Sequence, residues 1–115
     1  MRTIGETSRR HGIVPVALYV PLTNEDIVRS RKRREGVLRM ASRAGLIALS
    51  VEEAYVGHPQ SELVVAEWDA HPSAFAHRLI ADHAVSAILT ARSSLGLADA
   101  EVHPIPVNAH KEPNR

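Results

Sequence analysis

The stretch "IVPVALYVP", Ile13 to Pro21, places the tightest constraint on the fold of this chain. It is apolar throughout, too short for a stable helix, and marked by Pro15 and Pro21, a combination that predicts a buried strand. The polar cluster that follows reads as a helix start. Thr23 or Asn24 supplies an N-cap, and Glu25 and Asp26 fall in the first turn, where carboxylates complement the helix dipole. The helix runs on through "IVRSRKRREGVLRMASRAG", with Gly45 as its stop. "LIALSVEEAYVG", Leu46 to Gly57, is then a second strand closed by "GHPQS". Along the helix the apolar stripe takes Ile27, Val37, Leu38, Ala41 and Ala44, while Ser30, Arg31 and Arg34 interrupt it, so the N-terminal half is expected to be the more exposed.

The second half admits two folds. "ELVVAEWD", Glu62 to Asp69, fits a strand with Val64, Ala66 and Trp68 on one face or a two-turn helix capped by Ser61, with the strand preferred for its clustered valines and the "DAHPS" breaker that follows; Pro72 and Ser73 then open a helix over "AFAHRLIADH". "AVSAILTA", Ala84 to Ala91, fits either period: a helix would continue the stripe through Ala84, Ala87, Ile88, Ala91 and Leu95, and a strand would align Val85, Ala87, Leu89 and Ala91. "EVHPIPV", Glu101 to Val107, is a last edge strand. A strand at 84–91 gives an α/β fold, a small open mostly parallel sheet with helices on both faces. A helix there gives the alternative, an α+β ferredoxin-like βαββαβ arrangement. Either way residues 13–108 form a single domain, with a loose N-terminal arm over 1–12 and a C-terminal tail over 109–115.

Several activities are made improbable by content alone. The chain has no cysteine, which removes disulfides, thiolate catalysis and cysteine-zinc sites. Its apolar runs fall short of the roughly 20 residues a membrane helix needs, and "MRTIGETSRRHG" has no apolar targeting core, so a soluble cytoplasmic protein without a membrane partner is expected. With a net charge of +1, any nucleic-acid binding must be local. The strongest local feature is "RSRKRREGVLR", whose Arg29, Arg31, Lys32, Arg33, Arg34 and Arg39 are the candidate DNA contacts. The same run equally fits a solvated face with Glu25–Arg29 and Glu35–Arg39 pairs at helical spacing.

Segment 16–57 resembles the opening of a serine recombinase (resolvase/invertase) catalytic domain. That family begins with a strand ending Tyr-x-Arg-x-Ser, a long helix, an Ala-Gly turn, and a second strand leading to an acidic loop. The matching positions are Tyr19, Thr23 where the family has its nucleophilic serine, Ser30 and Leu38 in the helix, "RAG" at the turn, and "EEAYVG" beyond the second strand. "LIADHAVSAILTARSSLGL" resembles the segment ending in the family's Asp-Arg-Leu-x-Arg. The resemblance implies DNA as partner. The departures imply lost catalysis: Pro21 replaces the arginine before the nucleophile, and Ser94 and Leu97 stand where two later arginines would fall, with Arg92 out of register. A phosphodiester attack without that clamp lacks its main electrostatic stabilisation.

Other constellations are weaker. His71, His77 and His83 with Asp69 lack metal-ligand spacing, so no metal or cofactor is expected. Glu52 and Glu53, adjacent on a strand, would point to opposite faces. Trp68 is expected to anchor a core or an interface. The expectation is therefore a non-catalytic, recombinase-like accessory or regulatory protein associated with DNA or mobile elements, with Thr23 a weak catalytic candidate and an enzyme using Thr23, His71 or His77 a lesser third reading. The alternative is a ferredoxin-like module that forms a homodimer and has no nucleic-acid role.

Overall fold

The computed structural model of the protein describes residues 1–97. The elements follow in the order α1 (Arg2–Arg10), β1 (Val16–Tyr19), α2 (Ile27–Arg43), β2 (Ile47–Ser50), a 3-10 turn (Glu52–Tyr55), α3 (Gln60–Leu63), β3 (Val64–Ala66), β4 (Asp69–Pro72) and α4 (Ala74–Thr90). The expected strand at 101–107 and tail at 109–115 lie outside the described residues.

The β1–α2–β2 unit forms, but β1 is shorter than the apolar run and is not the buried strand expected: Val16 and Leu18 are exposed and only Tyr19 is buried, because among the described residues its main neighbours are β2 and α2. β1 and β2 pair in parallel, in register from Val16 opposite Ile47 to Tyr19 opposite Ser50, with α2 as the crossover. The cap of α2 falls later than expected. Asp26, not Thr23 or Asn24, accepts from the amides of Val28 and Arg29. At the other end Gly45 adopts φ +80°, and the Leu46 amide reaches back to the Ala41 carbonyl, closing the helix so that β2 can begin. The second strand is shorter than Leu46–Gly57. The Ser50 hydroxyl accepts from the Glu52 amide at 3.1 Å, bending the chain out of the extended state and into the 3-10 turn.

Residues 84–91 are helical, part of the single helix α4. No breaker separates them from the helical period begun at Ala74, and Ser73 caps the whole segment by accepting from the Ala76 amide. Ala76 in the first turn of α4 and Leu95 in the turn beyond its end are buried. The strand expected over Glu62–Asp69 divides into α3, β3 and, after the Glu67–Trp68 turn, β4. Trp68 sits at that turn 87% exposed, so it is not a core anchor. β3 and β4 pair antiparallel, separately from β1 and β2. The described residues form a small mixed helix-and-strand domain with two short sheets, one parallel and one antiparallel, so the expected open mostly parallel sheet is not seen among them. The direct hydrogen bonding of β1 to β2 also leaves no slot between them for the inserted strand of a split βαβ unit.

Residues 2–10 form a helix rather than a loose arm. Its seat is a backbone contact: Gly5 is buried, and a Cβ there would collide with the Ala44 carbonyl oxygen. The core comprises Tyr19, Ala41, Ala44, Val51, Ala54, Leu63, Ala76 and Leu95. Small side chains dominate it, so close backbone approach rather than bulk sets its packing. Among the described residues no helix is long and apolar enough to cross a membrane.

Candidate functional site

The parallel pair directs the carboxyl ends of β1 and β2 toward the same edge, where open α/β units form their crevices. A cleft of about 480 Å³ lies there, lined by the β1–α2 loop from Pro21, the first turn of α2, the 3-10 turn, and the segment from Val56 to Leu63. Its apolar walls include Leu22, Ile27, Val56 and Leu63; its polar lining includes Thr23, Glu25, Glu52 and Tyr55.

Within the polar stripe of α2, Ser30 and Arg34 turn inward while Arg31 stays exposed, and the first half of the helix is the more exposed half, as expected. Ser30 is 4% exposed because the Tyr19 hydroxyl donates to its carbonyl at 3.2 Å and lies 3.4 Å from its Oγ. Glu52, at the start of the 3-10 turn, meets Arg34 directly and Arg31 at 3.8 Å. Glu25 meets Arg33 at 3.1 Å, and Asp26 meets Arg29 at 3.4 Å. The expected Glu25–Arg29 pair is thus replaced by these two, and among the described residues no ion pair joins Glu35 to Arg39. Because Glu52 lies in a 3-10 turn, it and the exposed Glu53 do not alternate across a strand as expected.

The candidate DNA contacts consequently divide into two sets. Arg31, Arg33 and Arg34 face carboxylates of the protein itself. Lys32 and Arg39 are exposed, and with Arg43 and with Arg29, whose exposed guanidinium also meets Asp26, they occupy one sector of α2 about 80° wide, nearly opposite the buried Ser30 and Ala41. Arg43 was absent from the sequence candidates, although its spacing from Lys32 and Arg39 places it on the same stripe.

Thr23 is 9% exposed and donates to the Ala70 carbonyl at 2.5 Å, tying the β1–α2 loop to the β3–β4 hairpin. Its hydroxyl is therefore a structural link. The imidazole of His71 contacts Asp69, whose carboxyl is held below its ordinary value by the His71 backbone amide first and then by the imidazole. His77 and His83 direct Nδ1 at the carbonyls of Ser73 and Leu79 along α4. These histidines are engaged locally, and among the described residues no group of three or more metal-ligating side chains converges.

Among the described residues, four buried side-chain polar atoms lack hydrogen-bond partners: Glu25 Oε2, Glu52 Oε1, Arg34 Nε and the Tyr55 hydroxyl. Glu52 Oε1 lies within ion-pair range of Arg31, but 3.8 Å is too long for a hydrogen bond. Burial pushes the Tyr55 phenol above its ordinary pKa, because the phenolate would be poorly solvated. Sequence reasoning missed Tyr55 and His58 as site residues; the ring of His58 packs edge-on against Phe75 with centroids 5.1 Å apart. The double acid after β2 was the available signal for this corner.

Comparison of the chain with protein-family models, curated proteins and solved structures gave no match.

Proposed function

We propose that the protein is a non-catalytic accessory factor that associates with duplex DNA through the outward face of α2. The carrying observation is the stripe of Arg29, Lys32, Arg39 and Arg43, which spans about 21 Å along the helix at 1.5 Å per residue. Four cations in one line suit a phosphate backbone and give no base recognition, so the association is sequence-tolerant. The likeness of β1–α2–β2 to the recombinase opening supports DNA as the partner. Three features support the loss of catalysis: Pro21 in place of the clamp arginine, the Thr23 hydroxyl engaged by Ala70, and Glu25 and Glu52 at a corner that would have to accept phosphate.

Fluorescence anisotropy with a labelled duplex tests this reading. Four phosphate contacts give a slope of about −3.6 in log K against log salt, hence roughly a hundredfold weakening over a fourfold rise in salt. Replacing Lys32, Arg39 and Arg43 with Gln should flatten that slope, while Arg31→Gln should leave it nearly unchanged. Salt-independent or absent binding refutes the proposal.

A second reading, a homodimer, is favoured by the exposure of Val16, Leu18 and Val20 along and just beyond β1, which has β2 as its only strand partner among the described residues. Sedimentation velocity over a concentration series tests it. A dimer lost on Leu18→Lys supports it, and a monomer at all concentrations ends it.

A further inference from the structure

The cleft at the carboxyl ends of β1 and β2 has lining chemistry that the DNA-binding face does not use. In a βαβ crevice the helix N-terminus ordinarily offers free amides to an anion. Here those amides are taken: Val28 and Arg29 donate to Asp26, a residue of the cleft wall. Glu25 and Glu52 line the same space, and the side chain of each is 9% exposed. Each carries one buried carboxylate oxygen with no hydrogen-bond partner, and the Tyr55 hydroxyl, on the same wall, is also buried without one. The arginines that balance these glutamates do not line the cleft. The site therefore has acceptors to satisfy and no lysine or arginine in its lining with which to attract an anion, and its one imidazole, His58, already faces Glu62 at 3.7 Å. A divalent metal is poorly matched as well, since no group of three or more ligating side chains converges among the described residues.

A ligand that satisfies this lining must bring several N–H donors on an apolar body, to lie against Leu22, Ile27, Val56 and Leu63. The volume, about 480 Å³, falls within the range of small-molecule sites. We infer that the cleft binds a small organic cation, a primary amine or guanidinium carried on an aliphatic chain, with Glu25 and Glu52 accepting from its cationic head and Tyr55 orienting it. This site lies on a different surface from the α2 stripe, so it does not rest on the DNA proposal.

The test is a titration of the full chain, followed by amide chemical shifts, with hexane-1,6-diamine and with agmatine. Adipate and hexane-1,6-diol serve as anionic and neutral probes with the same number of carbons as the diamine. Saturable shifts centred on Thr23, Glu25, Tyr55 and Gly57 are expected for the two cations alone. Glu25→Gln and Glu52→Gln should each weaken cation binding at least about tenfold, the scale of one lost charge-assisted contact. Val56→Trp fills the cleft from an exposed rim position, so it tests the site even where a glutamate variant is poorly folded; binding should vanish while the remaining spectrum is retained. Adipate or the diol binding as tightly as the diamine overturns the inference. So do the absence of saturation by either cation at about 10 mM and cation binding that persists in Val56→Trp.

Discussion

Glu52 provides the sharpest quantitative test of how the inward arginines are held. Its carboxylate is 9% exposed and faces two guanidinium groups in different settings: Arg34 is 30% exposed and Arg31 is 63% exposed. Removing one partner of a fully buried pair costs about 3–5 kcal/mol, whereas exposed pairs contribute about 0.2–1 kcal/mol. Arg34 lies between these limits. Its guanidinium retains part of its solvation, so a coupling to Glu52 of about 1–2 kcal/mol is expected, and under about 0.5 kcal/mol for Arg31 at 3.8 Å. Double-mutant cycles built from Glu52→Gln with Arg34→Met and with Arg31→Met measure both terms by urea unfolding. At a slope of about 1–1.5 kcal/mol per molar urea, the Arg34 coupling corresponds to a midpoint difference of roughly 1 M, well above the error of the assay. A coupling for Arg31 equal to or larger than that for Arg34 would refute the argument from burial, as would a coupling for Arg34 within about 0.3 kcal/mol of zero.

Four further outcomes are expected. Tyr19→Phe should destabilise the fold by about 1 kcal/mol, because its hydroxyl donates to the Ser30 carbonyl, whereas Tyr55→Phe should be neutral or stabilising, because its buried hydroxyl has no partner; chemical denaturation at neutral pH compares them. The raised pKa of Tyr55 adds a pH signature: the fold favours the neutral phenol, so its contribution is complete below the unfolded value of 10.0 and declines as pH rises through the folded one. Alkaline unfolding should accordingly be milder in Tyr55→Phe. In an isolated helix Gly5→Ala would add about 1 kcal/mol of helix propensity, but here the new Cβ would meet the Ala44 carbonyl oxygen. Faster hydrogen exchange over residues 2–10 is expected, and slower exchange would show that α1 is not seated on Ala44. Thr23→Ala should release the hairpin from the β1–α2 loop at a cost of about 1 kcal/mol, read as faster exchange in β3 and β4 with β1 and β2 unchanged.

The sequence revealed most where a local rule decides the structure. The proline-marked apolar run, the acidic cluster that supplies the Asp26 cap, and Gly45 specify β1, α2 and β2, because each acts within a few residues of its own position. Gly5 against Ala44 was illegible for the opposite reason: α1 docks through backbone, and glycine contributes nothing to an apolar period. The stripe through Ser30 and Arg34 looked like an exposed interruption because its partners, Tyr19 and Glu52, come from other elements. Residues 84–91 satisfied both periods when considered alone, and the cap at Ser73 together with uninterrupted helical phase selects the helix. Of the candidate site, the double acid after β2 was visible; its meeting with α2 depended on the turn at Ser50, which strand alternation does not encode.

The two arginine sets on α2 should tolerate substitution differently. On the outward stripe only a positive charge at the end of a flexible stem is required, and one of its four positions is already Lys32. At position 34 the planar fork of the guanidinium approaches a carboxylate from within the fold, a geometry that an ammonium does not reproduce. Among variants that preserve this architecture, lysine should therefore interchange with arginine at 29, 32, 39 and 43 and be rare at 34. Side-chain identity along a single helix would then record which face meets solvent and which meets the protein's own acids.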